Sequence, residues 1–477
     1  MTHDSYTSPL GSRYASKAML ELWSPRTRYG LWRRLWLTLA EAERELGVDI
    51  PGEAISQMQE HLDDIDFDAV AAYERRFRHD VMAHVYAFGD VAPAAKPWIH
   101  LGATSAFVTD NADLILMRRG LELLAGRSTS VLRSLAAFAH KWRDLPTLGY
   151  THLQPAQLTT VGKRATLWMQ DIVLDLRDIE YRRTTLPFRG VKGTTGTQAT
   201  FLELFRGDHQ KVRKLDDLVT SRMDFTAALA VTGQTYTRKL DAGVLSAVSG
   251  LAASAAKFAG DIRMLQSFGE MEEPFEDEQI GSSAMAYKRN PMRSERINSL
   301  ARFVLSLESN ANQTHSVQYF ERTLDDSANR RLAIPEAFLA ADAILLLMSN
   351  IAGGLHVHPA RIRQRIDAEL PFMATEKLIV RAVEKGRDRQ EVHEVIRRHS
   401  MSAANAMKEG AVSNDLLSRL ASDPDFGLSS EDIAEAAEPA QFIGRAPRQV
   451  EEFLEEVVEP LLAGTAQPAA DESEIRV

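Results

Sequence analysis

The chain has 477 residues, 44% of them hydrophobic, which is enough for a large core and for more than one domain. Its formal net charge of −10 excludes the diffuse basic field of a general nucleic-acid binder, so an anionic small ligand would need a local cluster of Arg and Lys. Cysteine is absent, which excludes disulfides, thiolate nucleophiles and Cys-ligated zinc and fits a reducing compartment.

From the amino end, Met1 to Gly11 is polar, with no apolar signal core. Leu31, Leu35, Leu39, Ala42 and Leu46 recur every three or four residues, and Gly47 marks a helix stop. Pro93 to Thr109 reads as a loop. Val131, Leu135, Phe138, Ala139 and Trp142 restore the helical period, with Pro146 just beyond, and Asp144 to Pro155 reads as a second loop. Val161, Ala165, Trp168, Ile172, Leu176 and Ile179 form another apolar stripe, followed by a Gly- and Thr-rich loop from Pro187 to Thr200. Proline is missing from Phe188 through Glu273 and from Met292 through Ile334, which predicts helices well above three turns. Between those stretches, Glu270 to Arg293 is an irregular segment, and the small, polar end from Gly464 to Val477 is expected to be disordered. No set of alternating strands is legible, and no run of eighteen apolar residues points to a membrane span. The expected fold class is all-α, with a central long-helix bundle. The expected divisions are 1–104, 105–357 and 358–477, and the expected location is the cytoplasm.

Several motifs carry less than they suggest. Gly190-Val191-Lys192-Gly193-Thr194-Thr195-Gly196 has neither phosphate-loop nor dinucleotide spacing, and reads as a flexible turn. His79 and His84 are five apart and, on a helix, would not share a zinc-binding face. His393-Glu394 lacks the second histidine of a metalloprotease helix, and His356 and His358 read as an exposed turn. No metal site is expected.

Gln279 through Pro291 is the most informative stretch. Gly281-Ser282-Ser283 is a turn that exposes backbone N–H groups, and Lys288 and Asn290 add a cation and an amide within reach. Together they suit negative charge developing on a bound carboxylate. Ser282-Ser283-Ala284-Met285 followed by Lys288-Arg289-Asn290-Pro291 resembles the signature loop of the fumarase/aspartase superfamily, although Ala286 stands where that family usually has proline. Further segments resemble the adenylosuccinate lyases, animal-type branch. These are Gly11 to Ser16, Arg78 to His84, His100 to Ser105, Thr151 to Arg164, Thr232 to Tyr236 and Phe320 to Arg331.

The resemblance implies a three-domain, all-α fold whose central helices build a twenty-helix core in a homotetramer, with each active site shared among three subunits. It implies β-elimination of fumarate from succinylated purine nucleotides, without cofactor or metal. Ser282 would be the base and His152 the general acid, because imidazole titrates near working pH. Lys288 and Asn290 would hold the succinyl carboxylates, with Thr104, Ser105 and Gln234 assisting. Arg13, Tyr14, Arg322, Ser327 and Arg331 would hold the phosphate, since guanidinium forks suit phosphate oxygens. Arg296 would contact nucleotide. His79 and His100, with Asp80 and Thr151 in the same segments, would line the site. Two other readings stand beside this one. An argininosuccinate lyase would share Ser282, Lys288 and His152 but lack the Arg322–Ser327–Arg331 phosphate site. A non-catalytic structural protein, like the lens crystallins of the superfamily, would need none of them.

Overall fold

A computed structural model describes residues 4–276 and 278–463. The tail from 464 to 477, expected to be disordered, lies outside the described residues. Helices make up 69% of the structure, as expected for an all-α protein.

The first long helix, α1 (Pro25–Glu45), starts where the Ser24 hydroxyl accepts the N–H of Thr27 at 3.2 Å and Pro25 takes the first turn. It ends at Leu46, and Gly47 at φ +101° turns the chain away. Helix α2 (Asp80–Val91) is capped by the His79 ring, whose Nδ1 accepts the Met82 N–H at 3.3 Å. Five longer helices then follow: α3 (Ser105–Lys141), α4 (Val161–Thr185), α5 (Lys239–Ser267), α6 (Met292–Ser316) and α7 (Asp325–Gly354), which continues through Pro335. They form the bundle. α3 packs on α4 and α7, and α5 packs on α4, α6 and α7.

Three expectations need correction. The segment read as a loop around Pro146 is a β-ribbon, β1 (Pro146–Thr151) paired antiparallel with β2 (Gln154–Thr160). His152 and Leu153 make the turn at φ 52° and 58°, the left-handed conformation at both central positions that a two-residue hairpin needs. Here tertiary packing overrides a poor strand composition. The second correction concerns hydropathy. α5 and α7 are long and apolar enough to span a bilayer by length and composition, and their most apolar windows are 61% and 67% buried inside the bundle. Third, the glycine-rich turn at Gly190 is anchored: Gly190, Val191, Lys192 and Gly193 are all buried.

One apolar core runs from Leu10 through the bundle to Val458, and a second, smaller one lies between Ala374 and Ala437. On α4, Leu167, Leu174 and Tyr181 recur every seven residues and remain 50%, 49% and 59% exposed. They form a half-exposed apolar stripe along a bundle helix.

Glu43 on α1 is fully buried, and neither carboxylate oxygen has a hydrogen-bond partner among the described residues. Burial pushes its carboxyl up to about 9. At neutral pH the folded chain therefore binds a proton that the unfolded chain releases, and stability falls as pH rises from the ordinary carboxylate range towards 9. Glu43→Met keeps the volume and removes the titration. It is expected to stabilise the protein by roughly 1–3 kcal/mol at pH 7. Melting curves at pH 5.5 and 8.5 check this: the gain must be larger at 8.5, and an equal gain at both would refute the titration account.

Candidate active site

Three helix amino-termini meet around one cavity of about 670 Å³. His79 and Asp80 open α2, Ser105 opens α3, and Ser327 lies in the first turn of α7. Unpaired N–H groups and helix dipoles at such ends favour an anion. The cavity wall also carries Gln234, Arg322 and Arg331, so seven of the residues expected from the sequence share it. Thr104 joins them through its hydroxyl, which accepts the Gln234 side-chain amide at 3.2 Å. Arg322 Nη1 donates to Gln234 Oε1 at 3.4 Å.

The floor is a buried ionic lattice that sequence reasoning missed. Arg238 is bidentate to Asp110, at 3.1 and 3.3 Å, and also bonds Asp326 at 2.7 Å. Arg330 bonds Asp241 at 2.7 Å and Asp113 at 3.0 Å, and Arg28 closes on Asp113 at 2.6 Å. Arg330 and Arg331 are adjacent on α7 but do not share an environment. Consecutive residues on a helix point about 100° apart. Arg330 is buried in the lattice, whereas the Arg331 side chain is 55% exposed at the cavity. The floor guanidiniums are thus committed to carboxylates, and the rim arginines are the ones that can meet a ligand.

Arg331 gives one of its five donors to Asp80, at 2.6 Å. Burial pushes the Asp80 carboxyl up, but the bonds from Arg331 and the Val81 N–H hold it below the ordinary carboxylate range. His100, expected to line the site, is not among the residues lining the cavity. Trp36 Nε1 donates to its Nδ1 at 2.9 Å, so Nε2 carries the proton of the neutral ring. Burial, and then the neighbouring His79, pull its pKa down to about 4. At neutral pH His100 is an uncharged donor and not a cation for phosphate.

The other expected residues lie elsewhere on the chain. Ser282, Lys288 and Asn290 form a surface loop closed by Asn290 Nδ2 donating to Gly281 O at 2.7 Å. Within it, the N–H groups of Met285 and Ala284 donate to Ser282 Oγ at 3.2 and 3.4 Å. Two such bonds to an alkoxide are worth about 1.5–3 kcal/mol each, and every 1.4 kcal/mol favours ionisation tenfold. That is a bias towards the alkoxide, short of what ionises an aliphatic hydroxyl at neutral pH. Arg13, Tyr14 and Arg296 form another group, with both guanidiniums 5.9 Å from the Tyr14 ring. Thr151 and His152 stand exposed at the tip of the β1–β2 ribbon. Among the described residues lining the cavity there is no residue from the serine loop, the ribbon tip or the Tyr14 group. Positive φ at Arg78, His100 and His152 costs about 1–2 kcal/mol each, strain that tends to collect at working sites.

Two family models match, one described as lyase over residues 23–306 and one as adenylosuccinate lyase C-terminus over residues 371–453. The chain is 54% identical over 459 residues to the adenylosuccinate lyase of Saccharomyces cerevisiae, covering 96% of this chain and 95% of that one. It is 48% identical over 461 residues to that of Schistosoma mansoni, covering 96% of each. In fold it resembles a 3-carboxy-cis,cis-muconate lactonizing enzyme from Pseudomonas putida, with TM-score 0.81 at 22% identity over 94% of this chain and 98% of that one. It also resembles a fumarate lyase from Mesorhizobium sp. BNC1, with TM-score 0.77 at 23% identity over 97% and 100%. Identity of 54% and 48% to the adenylosuccinate lyases of Saccharomyces cerevisiae and Schistosoma mansoni, over 96% of its length, makes this chain a member of the adenylosuccinate lyase family.

Proposed function

We propose that this lyase eliminates fumarate from adenylosuccinate to give AMP, and from the succinylated aminoimidazole carboxamide ribotide to give the free carboxamide. The observation that carries this reading is that Arg322, Ser327 and Arg331 line one cavity at converging helix amino-termini, a seat for a nucleotide phosphate. An argininosuccinate lyase has no use for such a seat.

In the proposed reaction, Ser282 Oγ takes the proton from the carbon next to a succinyl carboxylate. The N–H groups of Ala284 and Met285 and the Lys288 ammonium hold the negative charge. The electron pair left on carbon forms the double bond of fumarate as the C–N bond breaks. His152 gives a proton to the departing nitrogen. Asn290, Thr104, Ser105 and Gln234 hold the carboxylates, while Arg13, Tyr14 and Arg296 meet the nucleotide from another side.

These groups are dispersed over one chain, which supports a site built between subunits of a homotetramer. The exposed stripe of Leu167, Leu174 and Tyr181 supports the same assembly, because a lone bundle would leave it in water. Incubation with adenylosuccinate is expected to release AMP and fumarate one for one, with argininosuccinate untouched. Failure to turn over either purine substrate would end this reading.

A further inference from the structure

The buried glycine-rich segment has no part in the reaction as drawn, yet it leans on Gln234. Arg189, at its start, is fully buried and spends its guanidinium on backbone carbonyls: Nε and Nη2 donate to Gln234 O at 3.0 and 2.6 Å, Nη1 to Gly190 O at 3.1 Å, and Nη2 also to Gly193 O at 3.1 Å. Burial lowers its pKa to about 10, which leaves it cationic at neutral pH and its hydrogen bonds charge-assisted. The segment carrying Gln234 is pinned as well. Gln234 N–H donates to Glu321 O at 3.1 Å, tying it to the residue before Arg322. A Cβ on Gly196 would lie 1.8 Å from Thr232 O, and one on Gly233 would lie 2.6 Å from Glu321 O, so the three segments touch backbone to backbone.

We infer that Arg189 is a positioning residue for the elimination: it fixes the Gln234 backbone so that its side-chain amide, bonded to Thr104 and Arg322, is held ready for the succinyl group. A buried cation whose hydrogen bonds among the described residues all go to backbone carbonyls is a costly way to close a turn, even with the Asp110 and Asp216 charges nearby. It is a direct way to hold one carbonyl in place, because the planar fork grips Gln234 O with two donors. Lysine cannot reproduce this. The inference rests on the assignment of Gln234 to substrate binding.

The test is a cycle of Arg189→Lys, Gln234→Ala and the double variant in the full-length enzyme. Each single change is expected to lower kcat/KM for adenylosuccinate by about ten- to a hundredfold. The double variant is expected to be no worse than Gln234→Ala alone, because Arg189 acts through Gln234. Losses that multiply in the double variant would overturn the inference. Gly196→Ala, which pushes on Thr232 from the other side, should reproduce the Arg189→Lys loss if folding of the latter is impaired. Hydrogen exchange across residues 228–237 is expected to speed up in Arg189→Lys, and unchanged exchange would also overturn the inference. This readout needs no turnover. A parent enzyme inactive on the purine substrates therefore sinks the functional reading, while the exchange rates still judge Arg189.

Discussion

Ser282→Ala and His152→Ala are each expected to lower kcat by about 10²- to 10⁴-fold, the usual worth of a placed acid or base. Mixed in equal amounts within one oligomer, the two inactive chains are expected to regain activity. The serine loop and the ribbon tip do not line the cavity of their own chain, and on the shared-site proposal a working centre takes them from different chains. A centre is whole when its Ser282 comes from a His152→Ala chain and its His152 from a Ser282→Ala chain. With random mixing each condition holds half the time, so about a quarter of the sites recover. Co-expression of the two variants, purification through two different tags and assay of fumarate release measure this. Recovery absent from a verified hybrid would mean that both groups come from one chain, and the shared-site reading would fall. Either variant turning over at the parental rate would remove that residue from the chemistry.

How much of this was legible in the sequence depended on the kind of signal. The stripe Val161 to Ile179 set helix α4, and Gly47 marked the end of α1, because burial and backbone freedom act locally. The β1–β2 ribbon was not legible. Pro146, Gly149 and Pro155 read as loop residues, and the pairing rests on a left-handed turn at His152 and Leu153 that residue type does not announce. Among the candidate site residues, Ser282, Lys288 and Arg331 stood out through segments that resemble those of the family. Arg238, Asp110 and Arg28 did not, since a charged residue in a helical pattern reads by default as a solvated face. What marks them is the pairing of residues 128 and 85 positions apart, which only the fold brings about. The anchored turn at Gly190 escaped for the same reason: its partners, Asn111, Asp216 and Gln234, are remote in sequence.

Arg238→Met is expected to destabilise the folded chain by about 3–5 kcal/mol, the cost of leaving buried charges without their partner. Arg238 is 2% exposed, and it stands between Asp110, 1% exposed on α3, and Asp326, 1% exposed at the start of α7. Removing the guanidinium puts two carboxylates face to face in a low-dielectric floor. Asp110 keeps the Tyr236 N–H at 2.9 Å, whereas Asp326 loses its close cation, with Arg322 next at 4.0 Å. The greater strain therefore falls on Asp326, in the same first turn as Ser327. Restoring neutrality should undo part of the damage: Arg238→Met with Asp326→Asn is expected to be more stable than Arg238→Met alone, because one uncompensated charge is gone. Activity will not return with stability, since the first turn of α7 presents Ser327 and stands between Arg322 and Arg331. Denaturant unfolding of the three proteins at fixed subunit concentration, with kcat/KM measured on each, separates the two effects. Parental stability in Arg238→Met, or no gain from adding Asp326→Asn, would show that the floor is not held by this ion pair.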